Sequence, residues 1–439
     1  MKVLKFGGTS VGSAERIAKV ADIITERGKN IVVLSAMAGT TDTLVEITDY
    51  LYKKNTSGAK ETINKLECRY DQTIGSLYDS EAAKQQAKNE IRACFNYLRS
   101  LVKNVFSEIE EKEILAQGEL MSTSMMDAYL REKGVKSVLI PALDYMKIDS
   151  DDNPDLQYIK QRLSNLLDKY PKADVYITQG YICRNARGAV DNLHRGGSDY
   201  SASLIGAAID AEEIEIWTDI DGMHNNDPRY VEGTRPVEKL NFEEAAELAY
   251  FGAKILHPAC IQPAKLNNIP VRLLNTLDPL AQGTLIGNDS VENAIKAIAA
   301  KDNITVIKIK SSRMLQAYGF LRKVFEIFES YKTPIDMVAT SEVGVSVSID
   351  NEKKIDDIVD ELRKFGTVTI DRDMVIICVV GNLAWQKGGY EAKAIAALED
   401  IPTRMICYGG SDYNISFLVR KEDKIKALNR LSAQLFDKH

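Results

Sequence analysis

The sequence predicts an α/β protein: a mostly parallel sheet covered by helices, followed by two ferredoxin-like βαββαβ units. Three observations carry this. Up to about residue 288, short β-branched runs alternate with helix-periodic segments. Beyond it, an ungapped self-similarity appears at an offset of 70 residues: Gly319-Phe320 matches Gly389-Tyr390, Ser341-Glu342 matches Ser411-Asp412, and Val345-Ser346-Val347 matches Ile415-Ser416-Phe417. Each copy reads strand, helix, strand, strand, helix, the order of a split βαβ unit.

Val3, Leu4 and Phe6 open the chain as a buried strand. After Thr9-Ser10, the residues Ile17, Val20, Ala21 and Ile24 recur at i, i+3, i+4 and i+7, which predicts a helix directly behind it. Further strands are expected at 31–34, 138–140, 175–178, 214–217 and 271–274. The polar, Lys/Glu-rich stretch from 44 to 106 is helix-periodic and predicts a helical insertion over about 44–110. The division expected is therefore a first domain of residues 1–288 and repeats at 302–370 and 371–439. The first repeat reads 304–309, 320–331, 335–339, 343–349 and 354–365, closing with a strand at 367–370. The second runs out after its second helix, one strand short, and the apolar stretch 294–300 is expected to complete it.

Bulk properties narrow the chemistry. With 439 residues, 45% of them hydrophobic, the chain has ample core for several domains. A net charge of −7 argues against a general nucleic-acid or membrane-surface binder, so any anion site must be local. Six cysteines stand far apart without C-x-x-C pairs, and four histidines show no metal-ligand spacing; the cysteines read as apolar fillers in a reducing compartment, and no metal site is expected. With no signal-peptide pattern and no apolar run of membrane-spanning length, the cytoplasm is the expected location.

Four stretches collect the features of an anion and nucleotide site. KFGGTS, Lys5–Ser10, places a cation and two glycines at a strand end; it is either an ordinary turn or a phosphate cradle at a helix N-terminus. HRGGSDYSAS repeats the cation and glycine pair at Arg195-Gly-Gly, with Ser198 or Asp199 as the expected N-cap of a small-residue helix. WTDIDGMHNNDPRY follows a strand with Asp219, Asp221, Gly222 and Asp227-Pro-Arg229, where open α/β sheets bind ligands. YFGAKILHP puts Lys254 among apolar neighbours. Glu119, after Gly118 at the expected start of a helix, is either a first-turn acid or an ammonium ligand. Neither a Walker A motif nor a protein-kinase signature is present, and no Ser or Cys has a histidine in a triad context.

Taken together and in order, KFGGTSV, Gly118-Glu119, RGGSD, TDIDG…DPR, FGAKILHP and NTLDPLAQGTLI resemble the successive motifs of aspartokinases in the amino acid kinase superfamily, and the repeats resemble ACT domains. The resemblance implies an αβα sandwich that transfers the ATP γ-phosphoryl group to the β-carboxylate of L-aspartate, opening lysine, threonine and methionine biosynthesis. A carboxylate with pKa near 4 is already ionised, so no general base is required. The difficulty is joining an anion to a polyanion.

On matching positions, the resemblance gives Lys5 the β- and γ-phosphates, with Gly7, Gly8 and Ser10 in the cradle and Asp199 orienting Lys5. Arg195 and Ser198 take the aspartate α-carboxylate, Glu119 its ammonium, and Ser35, Ala36 and Thr41 line that pocket. Thr218, Asp219, Arg229 and Lys254 hold the nucleotide, with Mg²⁺ bridging its phosphates; His224 replaces a tyrosine found in some members. Met314, Gly319, Phe320, Leu321, Asp336, Thr340, Ser341 and Glu342 resemble the effector residues of lysine-inhibited members, so lysine is favoured over threonine. A homodimer through the ACT domains is implied, with dimer versus tetramer left open by the sequence. Lys5, read as a strand-edge cation, is expected to add little stability. Two other readings share these features: a related carboxylate kinase, such as one for glutamate, and a non-enzymatic amino-acid sensor.

Overall fold

A computed structural model describes residues 1–102, 106–193, 196–252, 258–289, 295–311, 318–383, 386 and 388–436. The chain falls into two units: Met1–Met223, Glu238–Phe242 and Ile255–Asn288 form the first, and His224–Val237, Glu243–Lys254 and Asp289–His439 the second.

In the first unit the apolar runs become strands and the periodic segments helices, in the order β1 (Lys2–Phe6), α1 (Ala14–Glu26), β2 (Asn30–Leu34), α2 (Thr40–Tyr52), α3 (Thr56–Leu77), α4 (Glu81–Leu101), α5 (Glu108–Glu132), β3 (Ser137–Leu139), α6 (Leu156–Lys169), β4 (Val175–Gln179), β5 (Ile182–Arg184), β6 (Val190–Asn192), α7 (Gly197–Ile209), β7 (Ile214–Thr218) and β8 (Lys239–Asn241). Helix α8 (Phe242–Tyr250) begins here and belongs mostly to the second unit; α9 (Pro258–Leu266), β9 (Val271–Asn275) and β10 (Thr284–Gly287) complete the first. The main sheet has the order β3-β4-β2-β1-β7-β9-β10-β8, parallel except where β10 runs against β9. Every residue of β2 and β4 is buried, as a parallel sheet covered on both faces requires. Register places Phe6 beside Leu34 on one side and Trp217 on the other, so β1, β2 and β7 end level and their following loops meet above them. Phe6 and Trp217 stack with ring centroids 5.8 Å apart, worth about 1 kcal/mol beyond their buried area.

Three local expectations are corrected here. Helix α1 buries Ile17, Val20, Ala21 and Ile24 as predicted, but it starts at Ala14, because Ser13 Oγ accepts from the Arg16 amide as N-cap. Ser10 turns its side chain inward instead. Helix α5 begins at a Ser107/Glu110 capping box, so Gly118-Glu119 lies mid-helix rather than at its start. Gly118 survives there because a Cβ would meet Ala36 Cβ at 2.7 Å. Helix α7 is N-capped by Gly196 (φ 69°), not by Ser198 or Asp199, since Gly196 and Gly197 take the left-handed turn that few side chains tolerate.

The second unit contains β11 (Ile295–Lys310), α10 (Phe320–Ser330), β12 (Val338–Ser341), β13 (Gly344–Ile349), α11 (Ile355–Arg363), β14 (Thr367–Gly381), α12 (Tyr390–Ala397), β15 (Thr403–Tyr408), β16 (Asn414–Arg420) and α13 (Lys424–Phe436). Its sheet is antiparallel, in the order β12-β13-β11-β14-β16-β15. Where the sequence suggested separate strands on either side of residue 302, and a strand closing at 370, the chain forms two long strands with a shared irregularity. Asn303 (φ 60°) and Asp373 (φ 55°) sit at the register shift between Lys301↔Ile376 and Ile304↔Met374. The first half of β11 thereby pairs with the second half of β14, which also carries β16, while its second half pairs with β13. The strand expected at 335–339 starts at Val338, two residues beyond Asp336. One apolar core lies under α10 and α11 and a second under α12 and α13.

The six cysteines form no disulfide among the described residues, and Cys68 is exposed rather than a core filler. Among the described residues, no helix is long and apolar enough to cross a membrane. Loss of the α5 cap gives a direct stability test: Ser107→Ala is expected to cost about 1 kcal/mol, read as a lower urea midpoint for the first unit. An unchanged midpoint would show that α5 is positioned by packing alone.

Candidate active site

The loops that leave β1 and β2 touch through backbone. The Gly7 amide donates to Trp217 O at 3.3 Å, the Ser35 amide to Phe6 O at 3.2 Å and the Ala38 amide to Gly8 O at 3.0 Å. A Cβ on Gly8 would sit 2.7 Å from Ala36 O, so glycine is what allows the two loops to meet. A Cβ on Gly7 would lie 3.6 Å from Lys5 Nζ, which places the lysine ammonium beside the glycine backbone.

Lys5 Nζ is 2.6 Å from Asp199 Oδ1 in the first turn of α7, and both side chains are nearly buried, 11% and 14% exposed. This corrects the expectation that Lys5 is a strand-edge cation of little structural weight. Removing either charge leaves the other poorly solvated, a cost of roughly 3–5 kcal/mol for a fully buried pair and less at this exposure.

Beside this pair, Ser35 Oγ donates to Ser198 Oγ at 2.9 Å. Close approach of α7 is again set by glycine: a Cβ on Gly180 would fall 2.4 Å from Ser198 Cβ. Glu119, 4% exposed, points from α5 so that its Oε1 accepts from the Ala36 amide at 3.2 Å. Burial pushes its carboxyl up to about 7, a rise only partly offset by backbone hydrogen bonds from Ala36 and Glu119. Ser122 Oγ, one turn on, donates to Ser35 O at 2.8 Å. Ser35, Ala36, Glu119 and Ser198 are thus brought together; Thr41 is exposed on α2.

On the other side of β1, Ser10 is buried with its Oγ 3.3 Å from Thr276 Oγ1, and Thr276 Oγ1 donates to Thr218 O at 2.9 Å. Thr218 Oγ1 in turn donates to Asp219 Oδ1 at 3.2 Å. The glycine loop is therefore tied to the end of β7 through Thr276, a residue given no role in the sequence reading. Its separation of 266 residues from Ser10 leaves no local signal for that pairing.

Arg195, Lys254 and Met314 lie outside the described residues. Arg229 belongs to the second unit, where its guanidinium forks onto Asp227 at 2.9 and 2.6 Å. His224, in the same unit, has Nδ1 3.3 Å from Thr234 Oγ1. The effector candidates also lie there. Gly319 (φ 82°) caps α10, Phe320 is buried and Leu321 is exposed. Thr340 and Ser341 are on β12 and Glu342 follows in the turn. The Asp336 side chain is 1% exposed and pairs with Lys301.

Chemically, the first unit presents a buried acid, paired hydroxyls, and an ammonium beside a glycine backbone. That combination suits a small zwitterionic acid and a polyphosphate.

Comparison with known proteins agrees with this chemistry. Residues 1–275 match the amino acid kinase family and residues 377–435 match an ACT domain. Aspartokinase 3, chloroplastic, of Arabidopsis thaliana is 33% identical, the alignment covering 99% of this chain and 81% of that protein. The lysine-sensitive aspartokinase 3 of Escherichia coli (strain K12) is 31% identical over 99% of both. The crystal structure of E. coli aspartokinase III in complex with aspartate and ADP superposes with a TM-score of 0.83 at 31% identity, covering 100% of each chain. Matched by the amino acid kinase family over residues 1–275 and 31–33% identical to these aspartokinases along 99% of its length, the chain belongs to the aspartokinase family.

Proposed function

We propose that this chain is an aspartate kinase, transferring the γ-phosphoryl group of ATP to the β-carboxylate of L-aspartate to give 4-phospho-L-aspartate, the opening step toward lysine, threonine and methionine. The observation that carries this reading is Lys5 held beside Gly7 by Asp199, next to a buried Glu119 that, among the described residues, has no cation among its hydrogen-bond partners. In the reaction, Lys5 bridges the β- and γ-phosphates, and the backbone of Gly7 and Gly8, with Ser10, receives the phosphate oxygens. Asp199 holds Lys5 in place until the nucleotide arrives. Glu119 takes the aspartate ammonium, Arg195 and Ser198 its α-carboxylate, and Ser35, Ala36 and Thr41 shape the pocket. The β-carboxylate then faces the γ-phosphorus as an ionised nucleophile, so catalysis consists of positioning and charge compensation. Thr218, Asp219, Arg229 and Lys254 hold the nucleotide. Mg²⁺ enters with it as part of the substrate, held by phosphate oxygens and water.

The same reading takes residues 1–288 as the catalytic domain with its helical insertion at about 44–110. It takes 302–370 as a first ACT domain and 371–439, completed by strand 294–300, as a second. Met314, Gly319, Phe320, Leu321, Asp336, Thr340, Ser341 and Glu342 bind a feedback amino acid, lysine before threonine. The chain works as a homodimer, or as a tetramer of such dimers, in the cytoplasm, a setting compatible with six cysteines outside any disulfide.

Incubation with MgATP and hydroxylamine should yield aspartyl hydroxamate with aspartate and none with glutamate. Lys5→Met should lower kcat by roughly 10²–10³-fold, the usual loss for one preorganised electrostatic group. Glutamate-dependent product alone would favour the glutamate-kinase reading, and full activity of the Lys5 variant would remove its phosphate role.

The raised Glu119 carboxyl gives a pH test. Its folded value near 7 lies above the ordinary 4.5, so the folded state favours the protonated form. The associated stability is fully present below about 4.5 and is lost as pH rises through about 7. Aspartate affinity runs the other way, strengthening across the same window as the carboxylate forms. Relative to the parent, Glu119→Gln should gain melting temperature between pH 5 and pH 8 while losing aspartate affinity at both. Parallel melting profiles across that range would contradict a buried, uncompensated acid.

A further inference from the structure

Resting on the assignment of Asp336 to the effector site, we propose that Tyr250 and Lys301 form a relay that couples an effector's ammonium group to the segment leading to Lys254. All the groups involved belong to the second unit. Asp336 Oδ1 accepts both Lys301 Nζ at 2.6 Å and the Tyr250 hydroxyl at 2.8 Å. Oδ2 is also buried, yet among the described residues it has no hydrogen-bond partner. That is an open acceptor in a site where an unmet hydrogen bond is costly.

Lys301 does not serve Asp336 alone. Its Nζ lies 2.9 Å from Asp350 Oδ2 and sits over the Tyr250 ring, 4.4 Å from the centroid. One ammonium faces two carboxylates, so the cluster carries one net negative charge before any ligand binds. Burial and the Asp336 carboxylate push the Tyr250 hydroxyl up to about 12, which keeps it a donor.

Tyr250 comes from the sequence span that matches the amino acid kinase family, not from the repeats, and stands four residues before Lys254. It is fixed to the repeat sheet at a second point. Gly252 (φ 133°) is pressed so closely on β11 that a Cβ would lie 2.3 Å from Ala300 O, beside Lys301. Glu247, one turn before Tyr250, accepts from Asn414 Nδ2.

An effector ammonium bound at Oδ2 competes with Lys301 for the Asp336 charge. Lys301 has Asp350 to move toward, and in doing so it leaves the Tyr250 ring and the shared carboxylate. The Tyr250 hydroxyl then faces an acceptor whose charge is already taken, and the end of α8 loses one of its ties to the repeat sheet. The ligand thus favours one arrangement of this segment over another, which is what coupling between sites requires.

Two variants of the full chain separate the parts. Lysine and threonine are titrated separately, with binding read by calorimetry and inhibition by aspartyl hydroxamate formation; circular dichroism and melting report folding. Tyr250→Phe keeps the ring and drops the hydroxyl: it should bind the effector within about threefold of the parent, while the half-inhibiting concentration rises about tenfold, an ordinary coupling magnitude. Lys301→Met should bind the effector more tightly, since its competitor is gone. Parental inhibition of Tyr250→Phe, or unchanged or weaker binding to Lys301→Met, would overturn the relay while leaving the effector site standing. If the parent chain binds neither amino acid, the effector assignment falls and the relay with it.

Discussion

A lysine ammonium at the end of a central parallel strand is hard to accommodate, because the sheet is covered on both faces and the strand ends in other strands' side chains. Here Lys5 is accommodated by Asp199, 2.6 Å away on the first turn of α7. Much of the site follows from that one ion pair. Helix α7 must begin close above β1, which requires the left-handed Gly196 and the missing side chain at Gly180. Once it does, Ser198 is carried to Ser35, and the Ser35-Ala36 backbone becomes the meeting point of β2, α5 and α7.

The same geometry explains how opposite charges can be kept ready in one small region. Lys5 is compensated by Asp199, so its charge does not stand unpaired in a low-dielectric site. Glu119 is left with backbone amide partners, and its raised pKa records that deficit. A ligand ammonium would supply what the fold withholds. The two acids therefore differ in what surrounds them: one has an in-chain cation, and the other, among the described residues, has backbone amides.

Much of this was legible in the sequence, at the level of motif and order. The glycine pairs, the strand runs and the 70-residue repeat each have a short-range physical signature. What escaped reading depends on contacts distant in sequence or on residues that break a local rule. Gly118-Glu119 looks like a helix start because glycine is poor inside helices; only the approach of Ala36 at 2.7 Å explains a glycine in the middle of α5. Gly196 was passed over as a cap because Ser198 and Asp199 are the better-known capping residues. The strands β11 and β14 read as separate pieces because Asn303 and Asp373 interrupt them with left-handed backbone. Thr276 carries no signal at all until it is seen between Ser10 and Thr218. That Arg229 and Tyr250 belong with the repeats rather than with the first unit is a matter of packing that no motif encodes.

The central claim is that Lys5 and Asp199 act as one unit, with the acid serving through the lysine. A double-mutant cycle on kcat/KM for ATP, comparing Lys5→Met, Asp199→Asn and the double variant, tests it most directly. Strong non-additivity is expected, with the double variant no slower than Lys5→Met alone and more stable to urea than either single variant. Multiplicative losses in kcat/KM, with stability changes that simply add, would show two independent residues and contradict it.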